Sequence, residues 1–334
     1  MIPSIISQSL EVALDVDIPV IVWGKPGVGK SQTIIQLGKK RGIPVQDVRL
    51  SQLDPVDLRG VPYKDENGFT CWAVPSFLPN AERDGEEGIL FLDEINKATN
   101  LVQSAAYQLI LDRKLGDYVM PAGWRIIAAG NNLSDKAYVT KMSSALANRF
   151  IHYDYEEHVP DFVDWGLAND IDEDVISFIQ FRPDLLHDMD TSSELKAFPT
   201  PRTWEYVSDL KKANPANLTE LIKSTVGQGT SIEFAAYLTV FATLPTTADM
   251  INNPGSIDLS DNNSDGRLYA LASKIAKEID ASNIAPLFSI VERMSIEFQV
   301  YVVKRISLRN KVLTSAPQIV QWILRNPEIF KVGK

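Results

Sequence analysis

The chain has 334 residues, 45 % of them hydrophobic and 23 % charged, with a formal net charge of −10. That length predicts two domains with a third subdomain, the composition is that of an ordinary soluble globular protein, and the acidic balance argues against a protein whose main task is coating nucleic acid. One cysteine, Cys71, excludes an internal disulfide and a multi-cysteine zinc site; it fits a reducing cytosol or a small buried apolar residue equally well.

In chain order, Met1-Ile2-Pro3-Ser4 lacks the basic start of a signal peptide and no apolar run reaches bilayer length, so the expected location is cytoplasmic. The apolar run Val20–Trp23 predicts a buried strand. It leads directly into Gly24-Lys25-Pro26-Gly27-Val28-Gly29-Lys30-Ser31, a complete G-x-x-x-x-G-K-[ST] pattern, and then into a helix-prone stretch beginning Ser31-Gln32. Glycines let the main chain curl so that its N–H groups and the following helix start face negative charge. The segment from Gly24 to Gln32 is therefore the expected cradle for a nucleoside triphosphate, with Lys30 reaching the β- and γ-phosphates and the Ser31 hydroxyl ligating Mg²⁺.

A second strand is expected over Val45–Leu50, then a hairpin-like stretch Val61–Ala73 turning at Asp65-Glu66-Asn67-Gly68. The run Gly88-Ile89-Leu90-Phe91-Leu92 reads as a buried strand and ends in Asp93-Glu94, 62 residues beyond Ser31. At the carboxyl edge of a parallel sheet, Asp93 would hold Mg²⁺ through water and Glu94 would orient and deprotonate the attacking water. Ile95, Ala98, Val102, Ala105, Ala106 and Leu109 follow at helical spacing. Asn96-Lys97-Ala98-Thr99 lacks the Asp of a guanine-reading loop and is taken as coincidence, so ATP is the expected nucleotide. The strand Ile126–Ala129 ends in Gly130-Asn131-Asn132, where Asn131 either bonds the attacking water or γ-phosphate or simply ends the strand in a turn. A fifth strand is expected over Ile151–Tyr155. The fold class is thus α/β, a P-loop NTPase core on a parallel five-stranded sheet, followed by helices.

Beyond Pro160 the pattern predicts helices over Asp161–Asn169, Glu173–Phe181, Thr203–Lys212, Ile232–Ala242, Leu268–Asp280 and Ala285–Val303, with a loop over Asp249–Gly266. His152, His158 and His187 lack ligand spacing and read as structural or solvated. From Ile151 to Asp190 there are twelve acidic residues and one basic; from Gln299 to Lys334 there are seven basic and one acidic. Both read as solvated surfaces, although an acidic region of one subunit meeting a basic tail of another is compatible with them.

The order Gly24–Ser31, Ile89–Glu94, Asn131, Asn148-Arg149-Phe150 and Pro201-Arg202 resembles the AAA+ ATPases, and within them the MoxR-type group that includes the CbbQ and NorQ chaperones. Asp57-Leu58-Arg59-Gly60 and the hairpin look like that group's insertion in the second helix. The resemblance covers about residues 2–212 and implies Asn131 as the sensor-1 residue, Arg149 as an arginine finger reaching a neighbouring subunit, and Arg202 as the sensor-2 arginine of a helical lid. It also implies a hexameric homo-oligomeric ring and a protein client or von Willebrand factor A-domain partner. A guanidinium suits those roles because it is permanently charged and forks onto phosphate oxygens, while Thr200 and Pro201 supply helix-start chemistry in front of Arg202.

The expected division is residues 1–158 as nucleotide-binding domain with an insertion at about 51–80, residues 159–248 as helical lid, and residues 249–334 as helical extension. Tyr63, Phe69, Trp72 and Tyr118, on the hairpin and the loop Gly116–Gly123, either grip a partner or pack their own hairpins. The leading function is an ATP-driven remodelling machine for a protein partner. A nucleic-acid motor or loader on the same core stays open because of the basic tail, and a nucleotide-binding scaffold without turnover is opposed by the complete residue set.

Overall fold

In a computed structural model, residues 1–132, 140, 142–189, 196–260 and 266–327 are described. The chain divides into two compact units, Met1–His158 and Val159–Lys334.

The first unit runs α1 (Pro3–Asp15), β1 (Val20–Trp23), α2 (Lys30–Arg41), β2 (Val45–Arg49), α3 (Pro55–Arg59), β3 (Val61–Lys64), β4 (Thr70–Ala73), α4 (Ala81–Asp84), β5 (Glu87–Asp93), α5 (Asn100–Asp112), β6 (Lys114–Leu115), β7 (Tyr118–Val119), β8 (Gly123–Gly130), α6 (Ser144–Ala147) and β9 (Ile151–Asp154). Five strands form one parallel sheet in the order β2-β5-β8-β1-β9. All five expected strands are present. Side chains alternate across the sheet, so Leu90, Leu92, Ile126, Ala128 and Ile21 pack with Val102, Ala105, Ala106 and Leu109 of α5. Ile89, Phe91, Ile127, Ala129, Val20 and Val22 face the other way, onto Ile6 and Leu10 of α1 and Ile34 and Leu37 of α2. Both faces are covered, which is why these strands read as unbroken apolar runs. The helix α1 lies outside the expected elements. The helix α5 starts at Asn100, capped by Thr99, so Ile95 and Ala98 precede it while sharing its buried face.

Strands β3 and β4 form the expected hairpin, with Val61 opposite Ala73 and Lys64 opposite Thr70. Its turn is closed by the Asp65 carboxylate, which accepts from the Asn67 and Phe69 N–H groups, and by Gly68 at φ +82°. Gly60 enters the hairpin at φ +87°, where a Cβ would lie 1.9 Å from the Ala73 carbonyl oxygen; only glycine fits. The loop expected at Gly116–Gly123 is a second small hairpin, β6–β7, tied to the first by the Trp72 N–H donating to Asp117 at 2.9 Å. Tyr63 and Phe69 are exposed, Phe69 by 71 %. Tyr118 takes the packing alternative: it is 7 % exposed and its hydroxyl donates to the Pro79 carbonyl at 2.8 Å.

The second unit is helical: α7 (Val159–Ala168), α8 (Glu173–Phe181), α9 (Pro201–Ala213), α10 (Leu218–Val226), α11 (Gln228–Ala242), α12 (Thr247–Asn252), α13 (Arg267–Glu278), α14 (Ile284–Val291), α15 (Ile296–Arg309) and α16 (Pro317–Arg325). Its core joins Phe178, Trp204 and Phe234 to Leu271, Phe288, Val302 and Trp322. Two expectations are corrected. The helix expected over Ala285–Val303 is broken into α14 and α15; Ser295 adopts extended N-cap geometry, and the Gln299 side-chain amide donates to the carbonyls of Glu292 and Met294 that the break leaves open. The loop expected over Asp249–Gly266 begins inside α12 and includes a 3₁₀ turn, Pro254–Ser256, while residues 261–265 lie outside the described set. Among the described residues no helix is long and apolar enough to cross a membrane.

Candidate functional site

The glycine-rich loop joins β1 to α2. Gly27 and Gly29 stand at φ +80° and +109°, conformations that L side chains disfavour. Gly24 starts the loop with its N–H on the Gly130 carbonyl, and a Cβ there would lie 2.9 Å from the Tyr155 carbonyl oxygen. No side chain caps the first turn of α2 and no acidic residue sits in it, so the helix start presents N–H groups suited to an anion. Lys30 opens that helix and is 9 % exposed. Its ammonium donates to the carbonyls of Gly24 at 2.6 Å and Lys25 at 3.0 Å, and to the Asn131 side-chain oxygen at 3.2 Å. Lys25 itself points to Glu157, at 2.8 Å.

The carboxyl ends of β1, β5 and β8 meet here because these strands are neighbours in the sheet. The Ser31 hydroxyl donates to Asp93 Oδ2 at 3.1 Å, and Asp93 Oδ1 accepts the Glu94 N–H at 2.8 Å. Glu94 has φ +55°, an uncommon value for a residue with a side chain. Its carboxylate accepts from the Ser51 hydroxyl and from the Lys97 ammonium. Burial pushes the Glu94 pKa up, but the hydrogen bonds from Lys97 and Ser51 and the charges of Lys97 and Arg49 outweigh it, holding the group below its ordinary value. Ser31 and Asp93 are hard oxygen donors of the type Mg²⁺ prefers. Among the described residues no group of three or more His, Cys, Asp or Glu side chains is placed to hold a metal.

Asn131 directly follows β8 and is buried. Arg149 follows α6, is exposed, and forms no ion pair among the described residues. Arg202 is the second residue of α9, in the other unit, and is exposed. On either side of it Thr200 and Thr203 make a reciprocal capping box, with bonds of 3.1 and 2.7 Å, and Thr200 is the helix cap that the sequence leads one to expect. The first unit thus brings together Lys30, Ser31, Asp93, Glu94 and Asn131. Ser51, Asn96, Lys97 and Tyr155 join the site without having been anticipated. For Asn96 and Lys97 the hint was their place within three residues of Glu94; Ser51 and Tyr155 carry no local signal.

Residues 19–150 match the family model described as AAA domain (dynein-related subfamily). Midasin from Giardia intestinalis is 29 % identical over 173 residues, a stretch that is 48 % of this chain and only 4 % of midasin's length. Among solved structures, NtrX from Brucella abortus in complex with ADP is 14 % identical, with 90 % of this chain and 67 % of that one covered and a TM-score of 0.41. A RuvB mutant from Thermotoga maritima is 14 % identical, with 89 % and 87 % covered and a TM-score of 0.40.

Proposed function

We propose, from the match of residues 19–150 to the AAA domain model, that the chain is a MoxR-like AAA+ ATPase, hydrolysing ATP in a hexameric ring to remodel or activate a protein partner. The observation that carries the reading is the convergence of Lys30 with Asn131, and of Ser31 with Asp93, at the ends of adjoining parallel strands. The main chain from Gly24 to Gln32 wraps the phosphates, and Lys30 neutralises the β- and γ-oxygens. Ser31 and Asp93 would hold Mg²⁺, which would supply charge neutralisation of the phosphates. Glu94 orients the attacking water and takes its proton, and Asn131 donates a hydrogen bond to that water or to the γ-phosphate. Arg149, exposed and without an ion pair among the described residues, serves a neighbouring subunit's site, and Arg202 contributes a second guanidinium from the helical lid. The exposed Tyr63 and Phe69 of the β3–β4 hairpin offer the protein partner an apolar grip. A von Willebrand factor A-domain protein is the partner that kinship suggests.

The test is complementation between defective subunits. Arg149→Ala should bind ATP as the parent does and turn over about 10³-fold more slowly, the loss typical of a missing arginine finger. Mixed with Lys30→Ala subunits, which bind nucleotide poorly but keep Arg149, it should regain part of the activity. Normal turnover by Arg149→Ala alone, or a chain that stays monomeric with ATP, removes the ring. Stimulation by DNA that declines steeply with salt, in place of stimulation by protein, would move the reading to a nucleic-acid motor.

A further inference from the structure

Asn131 lies just beyond the last residue of β8, where the sheet's ladder no longer pairs its main chain. Buried N–H and C=O groups need partners, and leaving one unmade is expensive. Here both are supplied by a single side chain. Asn96 Nδ2 donates to the Asn131 carbonyl at 2.7 Å, and Asn96 Oδ1 accepts the Asn131 N–H at 3.1 Å. An asparagine amide offers one donor and one acceptor side by side, so it pairs with a peptide as another peptide would. The two bonds also assign the amide orientation, since the flipped form would satisfy neither. Asn96 and Asn131 are 3 % and 5 % exposed, so water does not substitute for these contacts.

The surroundings are shaped to this clamp. Asn96 sits in the 3₁₀ turn Ile95–Lys97, directly after Glu94, so the turn that leaves β5 also fixes the end of β8. The Asn96 carbonyl accepts the Thr140 N–H at 2.6 Å. At Gly130 an added Cβ would lie 3.0 Å from Asn96 Oδ1 and 2.5 Å from the Trp23 ring, so the residue before Asn131 leaves room for the amide. With its own side-chain oxygen on Lys30, Asn131 has its NH₂ to donate to a third group.

We infer that Asn96 is a positioning residue for ATP hydrolysis: it touches neither nucleotide nor water, and aims the Asn131 amide at the γ-phosphate end of the site. The inference rests on the role given to Asn131 above. Displacing a catalytic group by an ångström costs rate far more than affinity, because binding is spread over the whole loop while the chemical step depends on aim.

The test is a double-mutant cycle in the full chain, read as kcat for ATP and as the dissociation constant of a fluorescent ATP analogue. Asn96→Ala removes both bonds; Asn96→Asp keeps the acceptor, loses the donor, and guards against a variant that does not fold. Each should lower kcat roughly 10- to 100-fold with nucleotide affinity retained. In an Asn131→Ala background the same substitutions should lower kcat no further, because Asn96 acts through Asn131. Losses that multiply would overturn the inference and leave Asn131's role standing. Asn131→Ala turning over ATP at the parent rate would overturn Asn131's role itself, and the clamp with it.

Discussion

The two units spend their charged side chains differently. In Met1–His158 the groups proposed for the chemistry collect at strand ends and on short turns, where Lys30 bonds carbonyl and amide oxygens and Glu94 shares its carboxylate between the Lys97 ammonium and the Ser51 hydroxyl. In Val159–Lys334 buried and partly buried charges join helix to helix. Lys211, in the last turn of α9, meets Asp172 at 2.7 Å and Asp174 at 2.5 Å at the start of α8, where each helix end favours the sign it receives. Arg305 and Arg309 of α15 approach Glu173 at 3.9 and 3.5 Å. An ion pair inside a protein is thus not in itself a mark of a site. What separates the two cases is position: one set lies at the ligand edge of a parallel sheet, the other between helices with no such edge.

That contrast can be broken by substitutions of one kind in each place. The largest effect is expected from Glu94→Gln, which keeps shape and removes the base: ATP hydrolysis should fall 10²- to 10⁴-fold while ATP binding is retained and stability drops only by the modest worth of the Lys97 ion pair. A larger loss of stability, seen by calorimetry, would make Glu94 a structural residue instead. Lys211→Met is the converse experiment, leaving two partly buried carboxylates without their cation. Denaturant unfolding should show a loss of about 1–3 kcal/mol. Little change there would mean that the ion pair merely offsets its own desolvation.

The smallest effect is a change of pH dependence. With its pKa lowered, Glu94 stays ionised as the medium is acidified past its ordinary 4.5, and the stabilisation from its partners is lost only as pH falls through the folded-state value. Lys97→Met removes the largest of the opposing influences, so burial gains weight, the pKa rises, and the acid limb of the ATPase profile should move to higher pH. An unmoved acid limb would assign that limb to another group.

How much of this was legible beforehand follows from where each signal resides. The three central strands, β5, β8 and β1, are buried on both faces, so runs such as Ile89-Leu90-Phe91-Leu92 declare themselves in composition alone. The loop Gly24–Ser31 is equally local, since its glycines, lysine and serine are contiguous. Helix α1 carried a readable signal in Ile6, Leu10, Ala13 and Leu14 at helical spacing. The break between α14 and α15 did not, because Glu292-Arg293-Met294-Ser295 contains neither glycine nor proline and sits inside an apolar stretch. Tyr118 shows a further limit: in a two-residue strand nothing in the sequence says which face turns inward. Ser51 and Asn96 are the clearest cases. Their partners, Glu94 and Asn131, lie 43 and 35 residues away, and the contacts exist only because β2, β5 and β8 are neighbours in the sheet.

Position 94 bears one more consequence. Its main chain is wound the left-handed way, at φ +55°, in a form that disfavours any side chain by about 1–2 kcal/mol. Glycine would sit there at ease, yet it brings no acid. Glu94→Gly would relieve that winding but surrender the bonds from Ser51 and Lys97, so the two effects oppose each other in the unfolding free energy.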